Sequence, residues 1–186
     1  MKRIAKIIFD YIKDHADVAE HNHIVIGTDS QNHKDETKAV IVIAVYTDGK
    51  GGKFFYEILK LPIILNLKVK IHKETELSIA YADQLIDELT TLSIQENFDY
   101  EKYTSIGIHV DAGYAGPSGQ VIPEIVGWLK GAGYEPTVKP DSFVASTIAD
   151  RISKWKIQKT FILIANSIKE NNQWTLLGER LLKREY

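Results

Sequence analysis

The chain contains no cysteine, which excludes disulfide bonds, thiolate zinc sites and cysteine nucleophiles. It has no large excess of charge of either sign, and its formal net charge of −2 argues against a polybasic coat that binds nucleic acid nonspecifically. It has no apolar run long enough to span a membrane. Charged residues from Asp10 onward interrupt the only segment that begins like a signal peptide. We therefore expect a cytoplasmic protein with no membrane partner, built as one domain of 186 residues with short extensions.

The first half of the chain has a clear pattern of one helix followed by strands. Apolar residues at helical spacing predict a leading helix over residues 4–14. Segments typical of strands follow at residues 23–28, 38–46 and 53–61. A glycine-rich loop joins the last two, and the middle segment is uniformly apolar, as a central strand is. This half therefore predicts a three-strand antiparallel meander.

The second half predicts helices that alternate with single strands. A stripe of leucines and one tyrosine predicts an amphipathic helix over residues 73–92, and a strand follows at residues 103–110. Ser118 is the expected N-cap of the next helix, which runs through Leu129. A short fifth strand is expected at Thr137-Val138-Lys139 and a further helix from Ser142 to about Lys156.

The last thirty residues are harder to interpret. Residues 160–165 are typical of a sixth strand, and residues 171–173 of a turn. Residues 174–183 predict a short, basic, amphipathic helix.

Two aspartates stand at corresponding places, each at the end of a short β-branched, apolar run. Asp29 ends the first predicted strand and Asp111 ends the fourth. If the fourth strand returns parallel to the first, both carboxylates lie at one edge of the sheet, where a divalent metal could be held beside a phosphate. The alternative for each aspartate alone is a turn that leaves a strand.

Three further acidic residues are candidates for the same place. Glu76 stands in the predicted first turn of the helix after the meander, where it could either complement the helix dipole or point toward the sheet edge. Asp150 lies in the last predicted helix, among small residues that allow a close approach to the sheet, or else on its solvated face. Asp141 is equally well explained as part of a helix cap, in Pro140-Asp141-Ser142.

These residues carry a family resemblance. The order of elements resembles the ribonuclease H-like fold, and three motifs are similar to those of the uncharacterised bacterial YkuK family, which is described as ribonuclease H-like. The motifs are Ile-Gly-Thr-Asp-Ser-Gln at 26–31, His-Val-Asp-Ala-Gly at 109–113 and Val-Lys-Pro-Asp-Ser-Phe-Val-Ala-Ser at 138–146. The resemblance implies an α/β fold with a mixed five-stranded sheet that is flanked by helices. The sheet would consist of a three-strand antiparallel meander plus two parallel strands. Residues 1–156 would form this domain and residues 157–186 a C-terminal extension.

The resemblance also implies a site and a reaction. Asp29 would bridge two metal ions, Mg²⁺ or Mn²⁺, Glu76 and Asp111 would complete their coordination, and Asp150 would hold the second ion. Asp141 is the alternative to Asp150, because the YkuK-like motif is strongest around it. Such a site implies hydrolysis of phosphodiester bonds in a nucleic acid, whether RNA, DNA or a hybrid.

Two other functions are consistent with the sequence. One is a ribonuclease H-like module that binds nucleic acid or protein without catalysis. The other is a nucleotide-binding protein that uses the glycine-rich loop at residues 113–119 to hold a phosphate. Among the remaining residues, we expect His109, Trp128 and Trp155 in the core, and basic residues along one side of the site at Lys139, Arg151, Lys154 and Lys156.

Overall fold

The structure is a computed structural model that describes residues 1–17, 21–150 and 152, together with the backbone of residues 162–170 and 173–182. The helices are α1 (Lys2–Asp14), α2 (Leu67–Glu96) and α3 (Ile122–Gly131), with a 3₁₀ turn at Tyr100–Tyr103 and a π-helical segment at Val144–Ala149. The strands are β1 (Asn22–His33), β2 (Glu36–Thr47), β3 (Gly51–Pro62), β4 (Thr104–Val110), β5 (Glu135–Val138), β6 (Ile162–Glu170) and β7 (Gln173–Leu182).

The described strands form one mixed sheet in the order β5-β4-β1-β2-β3-β6-β7. β1, β2 and β3 form the antiparallel meander, while β4 runs parallel to β1 and β5 parallel to β4. The predicted five-stranded mixed sheet is therefore confirmed, and β6 and β7 extend it beyond β3. The division into a domain of residues 1–156 and an extension stays a prediction.

The helix predicted over residues 174–183 is wrong. Gln173–Leu182 forms β7, which pairs antiparallel with β6 over most of its length. The apolar residues in this segment are compatible with the period of a helix and with that of a strand, and pairing with the neighbouring β6 favours the strand.

The two faces of the sheet are covered very unequally. Alternation along β1 points Ile24 and Ile26 toward the helices and Val25 toward the other face. Residues from α1, α2 and α3 pack in the first of these cores, whereas the second is covered by the π-helical segment and Ile152. β2 lies between the two cores and is buried from Thr37 to Thr47, as expected for a central strand. None of the described helices combines the length and the apolar character needed to cross a lipid bilayer.

Two helices begin at other residues than predicted. The side chain of Asn66 accepts a hydrogen bond from the Val69 N–H at 3.1 Å and caps α2, which starts at Leu67 rather than near residue 73. α3 starts at Ile122, because the Ser118 hydroxyl donates to the Gly113 carbonyl and stabilises the preceding loop instead of the helix.

Of the expected core residues, His109 is buried, whereas Trp128 is not. Trp128 is 39% exposed and stacks on His72 at the surface between α2 and α3, so its prediction as a core residue is wrong. Trp155 lies outside the described residues, as do Arg151, Lys154 and Lys156.

The helix predicted from Ser142 is present in the part that the structure describes, but it is widened into a π-helix over Val144–Ala149. Gly27 of β1 lets this segment approach the sheet, since a Cβ at that position would lie 2.9 Å from the Ala145 nitrogen. At the far end, the buried ammonium of Lys38 on β2 donates to the Ile152 carbonyl at 3.1 Å. π-Helical turns are frequent at functional sites, and this one carries the chain to Asp150.

The contact at Gly27 predicts a specific loss of stability. Gly27→Ala should lower the free energy of unfolding by about 1–3 kcal/mol, because the added methyl group forces the π-helical segment away from β1. Urea denaturation measures this change. Gly127→Ala is the matched control: Gly127 is exposed on α3 with no other described atom within 4 Å of its would-be Cβ, and the substitution should add roughly 0.5–1 kcal/mol. A Gly27→Ala protein as stable as the wild type would contradict the prediction.

Candidate functional site

The parallel pairing of β1 with β4 places the two aspartates side by side. Thr28 is in register with Val110, so Asp29 and Asp111 are the next residues of neighbouring strands at the same edge of the sheet. Asp29 is 4% exposed, and the side chain of Asp111 is 13% exposed. Burial raises the pKa of the Asp111 carboxyl, and the nearby charge of Asp29 acts in the same direction. The expected juxtaposition of these two carboxylates is what the structure contains.

A glutamate that the sequence analysis overlooked joins them. Glu74 lies on the buried side of α2 and is 9% exposed, and the Ser30 hydroxyl donates to its Oε1 at 2.7 Å. The pKa of Glu74 is raised to about 8, mainly by burial and in part by the charges of Asp29 and Asp111, while the Ser30 hydrogen bond opposes the rise. These effects show that Glu74 is within electrostatic reach of both aspartates.

Glu76, the predicted glutamate, is not brought to this cluster. Its side chain is 58% exposed and binds the Lys73 ammonium at 2.9 Å. Positions two apart on a helix point about 200° from each other, so Glu74 and Glu76 cannot face the same side. The assignment of Glu76 followed from a helix start placed too late, which put it in the first turn.

The signal for Glu74 is present in the sequence. The buried stripe of α2 contains Ile71, Ser78, Ala82, Leu85 and Leu89, spaced three, four or seven residues apart. Glu74 is the one acidic member of that stripe, three residues after its first apolar position. A carboxyl group in the apolar stripe of an amphipathic helix is itself an indication of a functional residue.

The two candidates for the fourth acidic position are separated by the structure. Asp150 follows the π-helical segment, is partly buried, and its charge contributes to the raised pKa of Asp111. Asp141 is exposed in the turn after β5, where its N–H donates to the Val138 carbonyl and its own carbonyl accepts from Phe143. Asp150 is therefore the residue that approaches the carboxylate cluster.

Polar and cationic groups surround the carboxylates. The Lys139 ammonium lies 2.8 Å from Asp111 Oδ1, which places this lysine along the site as expected. On the other side, the hydroxyls of Thr28 and Ser78 are hydrogen bonded at 2.8 Å between β1 and α2. The cleft between α2 and β4, lined by Glu74 and Asp111 among others, leaves no room for a water molecule. This tight packing accounts for the desolvation of both carboxyl groups.

The donor set fits a divalent cation in its chemistry, since Asp29, Glu74, Asp111 and Asp150 offer the oxygen ligands that Mg²⁺ and Mn²⁺ prefer. Among the described residues, no group of three acidic or histidine side chains is arranged to hold a metal ion directly. Ser30 binds Glu74 and Lys139 binds Asp111 in this arrangement. A cation at the cluster therefore requires these contacts to be exchanged.

The raised pKa of Glu74 predicts a stability that depends on pH. An unfolded glutamate loses its proton near pH 4.5, whereas folded Glu74 keeps its proton up to about pH 8. The folded state thus binds more protons in this range, so the free energy of unfolding should fall as the pH rises from 4.5 to 8. This single group contributes at most about 1.4 kcal/mol per pH unit, and its contribution levels off above pH 8.

Urea denaturation between about pH 5 and pH 9 tests this, with the wild type compared to two variants. Glu74→Gln removes the titrating group and should flatten the dependence relative to the wild type. Glu76→Gln, on the exposed side of the same helix, should leave the wild-type dependence unchanged. Parallel profiles for the wild type and Glu74→Gln would disprove the assignment.

Comparisons with known proteins agree with this architecture. A family model described as ribonuclease H-like matches residues 3–154. The uncharacterized protein YkuK of Bacillus subtilis (strain 168) is 32% identical over 135 residues, which is 69% of this chain and 77% of the relative. No solved structure matches the chain at a significant level. The family model covers most of the sheet and all the carboxylates described above, so the chain belongs to the ribonuclease H-like proteins and, within them, to the YkuK family.

Proposed function

We propose that this protein is a metal-dependent nuclease that hydrolyses phosphodiester bonds of RNA or DNA. The observation that carries the proposal is the convergence of Glu74 with Asp29 and Asp111 at the edge where β1 and β4 run parallel. A ribonuclease H-like fold is nuclease-like in its architecture. Gathering like charges in a desolvated cleft costs stability, which is the usual property of a functional site rather than of a structural one.

Asp29, Glu74, Asp111 and Asp150 would hold Mg²⁺ or Mn²⁺ in this proposal. Bound divalent ions in such a set supply a water of lowered pKa and stabilise charge on the attacking and leaving oxygens. We assign Asp150, and not Asp141, as the fourth carboxylate of the set, because Asp150 lies within electrostatic reach of Asp111. The proposed set thus keeps Asp29, Asp111 and Asp150 from the sequence prediction, replaces Glu76 with Glu74 and leaves out Asp141.

The neighbouring side chains position this set. The hydroxyl of Ser30, on β1, orients the Glu74 carboxyl, and the packing of α2 on β1 fixes how deeply Glu74 is buried. The closed cleft excludes water from the carboxylates on the side of α2. Lys70, whose charge acts on Glu74, and Lys139 provide positive charge where a polyanionic substrate would approach.

A second function, a ribonuclease H-like module that binds nucleic acid without cleaving it, is favoured by two observations. Lys139 already neutralises Asp111, and no described trio of acidic side chains is set to hold a metal ion. In such a module the carboxylates would serve the fold alone. Cleavage and binding assays on the same protein separate the two functions.

The nuclease proposal predicts metal-dependent cleavage that depends on Glu74. Labelled single-stranded RNA, single-stranded DNA and a hybrid duplex are incubated with the protein in Mg²⁺, in Mn²⁺ and in EDTA. Glu74→Gln should reduce the rate by at least about 100-fold, because it removes one ligand of the proposed set. Asp29→Asn and Asp111→Asn should have effects at least as large.

Glu76→Gln is the matched control, since it makes the same chemical change two residues away on the exposed side of α2 and should retain the wild-type rate. Circular dichroism verifies that each variant is folded. Cleavage that survives in folded Asp29→Asn and Asp111→Asn would refute the nuclease. Binding of nucleic acid without any cleavage would instead support the second function.

A further inference from the structure

The position of Lys139 is fixed by the backbone of the sheet. Val138 of β5 is in register with Val110 of β4, so Lys139 and Asp111 are the next residues of two neighbouring parallel strands. The Lys139 N–H donates to the Ala112 carbonyl at 3.0 Å, which continues the pairing past the end of β5. The lysine therefore stands beside the aspartate because of the fold and not through a chance surface contact.

The ion pair has one partly buried and one exposed partner. Its atoms, Lys139 Nζ and Asp111 Oδ1, are 2.8 Å apart, while the side chains are 47% and 13% exposed respectively. The turn after β4 packs closely on the base of the lysine, since a Cβ at Gly113 would lie 3.1 Å from Lys139 Cβ. The aspartate and the base of the lysine are thus held in place, and the flexible end of the lysine can move into solvent without disturbing the sheet.

Lys139 places a positive charge directly on the acidic cluster, at Asp111. Asp29, within β1, and Asp111, directly after β4, are adjacent, and Asp150 adds its charge nearby. A divalent cation bound by this set would lie beside the same Asp111 carboxylate that the ammonium pairs with, where the two positive charges repel each other. The two cations therefore compete for one carboxylate.

We propose that Lys139 is a built-in counter-ion that a divalent cation displaces from Asp111, and that the freed ammonium then binds a phosphate of the nucleic acid. The inference rests on the proposed function, because it requires a divalent ion at the carboxylates. The displaced side chain extends from the rim of the same site, within reach of a polyanion held there. A lysine ammonium is a compact point charge suited to both partners.

Calorimetric titration of the full chain with Mn²⁺ tests the competition without relying on activity. Lys139→Gln should bind Mn²⁺ about 3- to 10-fold more tightly than the wild type, since the competing charge is removed. Lys139→Arg keeps the charge and should bind no more tightly than the wild type. Lys73→Gln is the matched control: it removes a lysine that pairs with the exposed Glu76 and should leave the Mn²⁺ affinity unchanged.

The phosphate contact is tested by the anisotropy of a labelled oligonucleotide in Ca²⁺. Lys139→Gln should weaken binding and reduce the slope of log K against log salt by about one relative to the wild type. An unchanged slope would overturn the phosphate contact.

Mn²⁺ affinity that is unchanged or weaker in folded Lys139→Gln, while the wild type binds Mn²⁺, would overturn the competition alone. Failure of both proteins to bind Mn²⁺ would overturn the inference together with the proposed nuclease.

Discussion

The parallel pairing of β1 with β4 is the constraint on which the candidate site depends. The pairing of Thr28 with Val110 makes Asp29 and Asp111 neighbours. The pairing of Val110 with Val138, between β4 and β5, places Lys139 beside Asp111. Three chain segments that are far apart in sequence thereby deliver one charged residue each to the same edge. A slip of one residue in either register would turn a side chain to the opposite face, so the ladder hydrogen bonds that specify the sheet also specify the site.

Bringing like charges to a desolvated edge is unfavourable, and the structure offsets this cost in three ways. Lys139 neutralises Asp111, the Ser30 hydroxyl donates to Glu74, and burial favours the protonated form of Glu74 below about pH 8. The result is a cluster with much less net charge than its acidic residues suggest. This balance allows the carboxylates to be assembled by folding alone, before any ligand contributes positive charge.

The sequence predicts those parts of the molecule that local patterns determine. Strand alternation and turn residues are local, so the meander, β4 and the place of Asp111 directly after β4 were predicted correctly. The predicted end of the first strand before Asp29 was wrong, because β1 continues to His33 through its pairing with β2. The glutamate was missed because two stripes run along α2. One contains the partly buried Leu77 and Tyr81, and the other, which is fully buried, contains Glu74. Choosing between them requires knowing which side packs on the sheet. β7 was missed for a related reason, because its conformation depends on pairing with β6.

The four carboxylates are held by supports of very different strength. Asp29 lies in β1 and Asp111 directly follows β4, both of them paired strands, and Glu74 lies in a helix of 30 residues that packs in the larger core. Asp150 depends on a single π-helical segment, which rests on Gly27 and is tied to β2 by the Lys38 hydrogen bond. Displacing Asp29 or Asp111 would disturb the pairing of β1 with β4, whereas displacing Asp150 changes the side-chain packing of one segment on the smaller core. Any adjustment that draws all four groups onto a common ion therefore costs least on the π-helical side of the sheet.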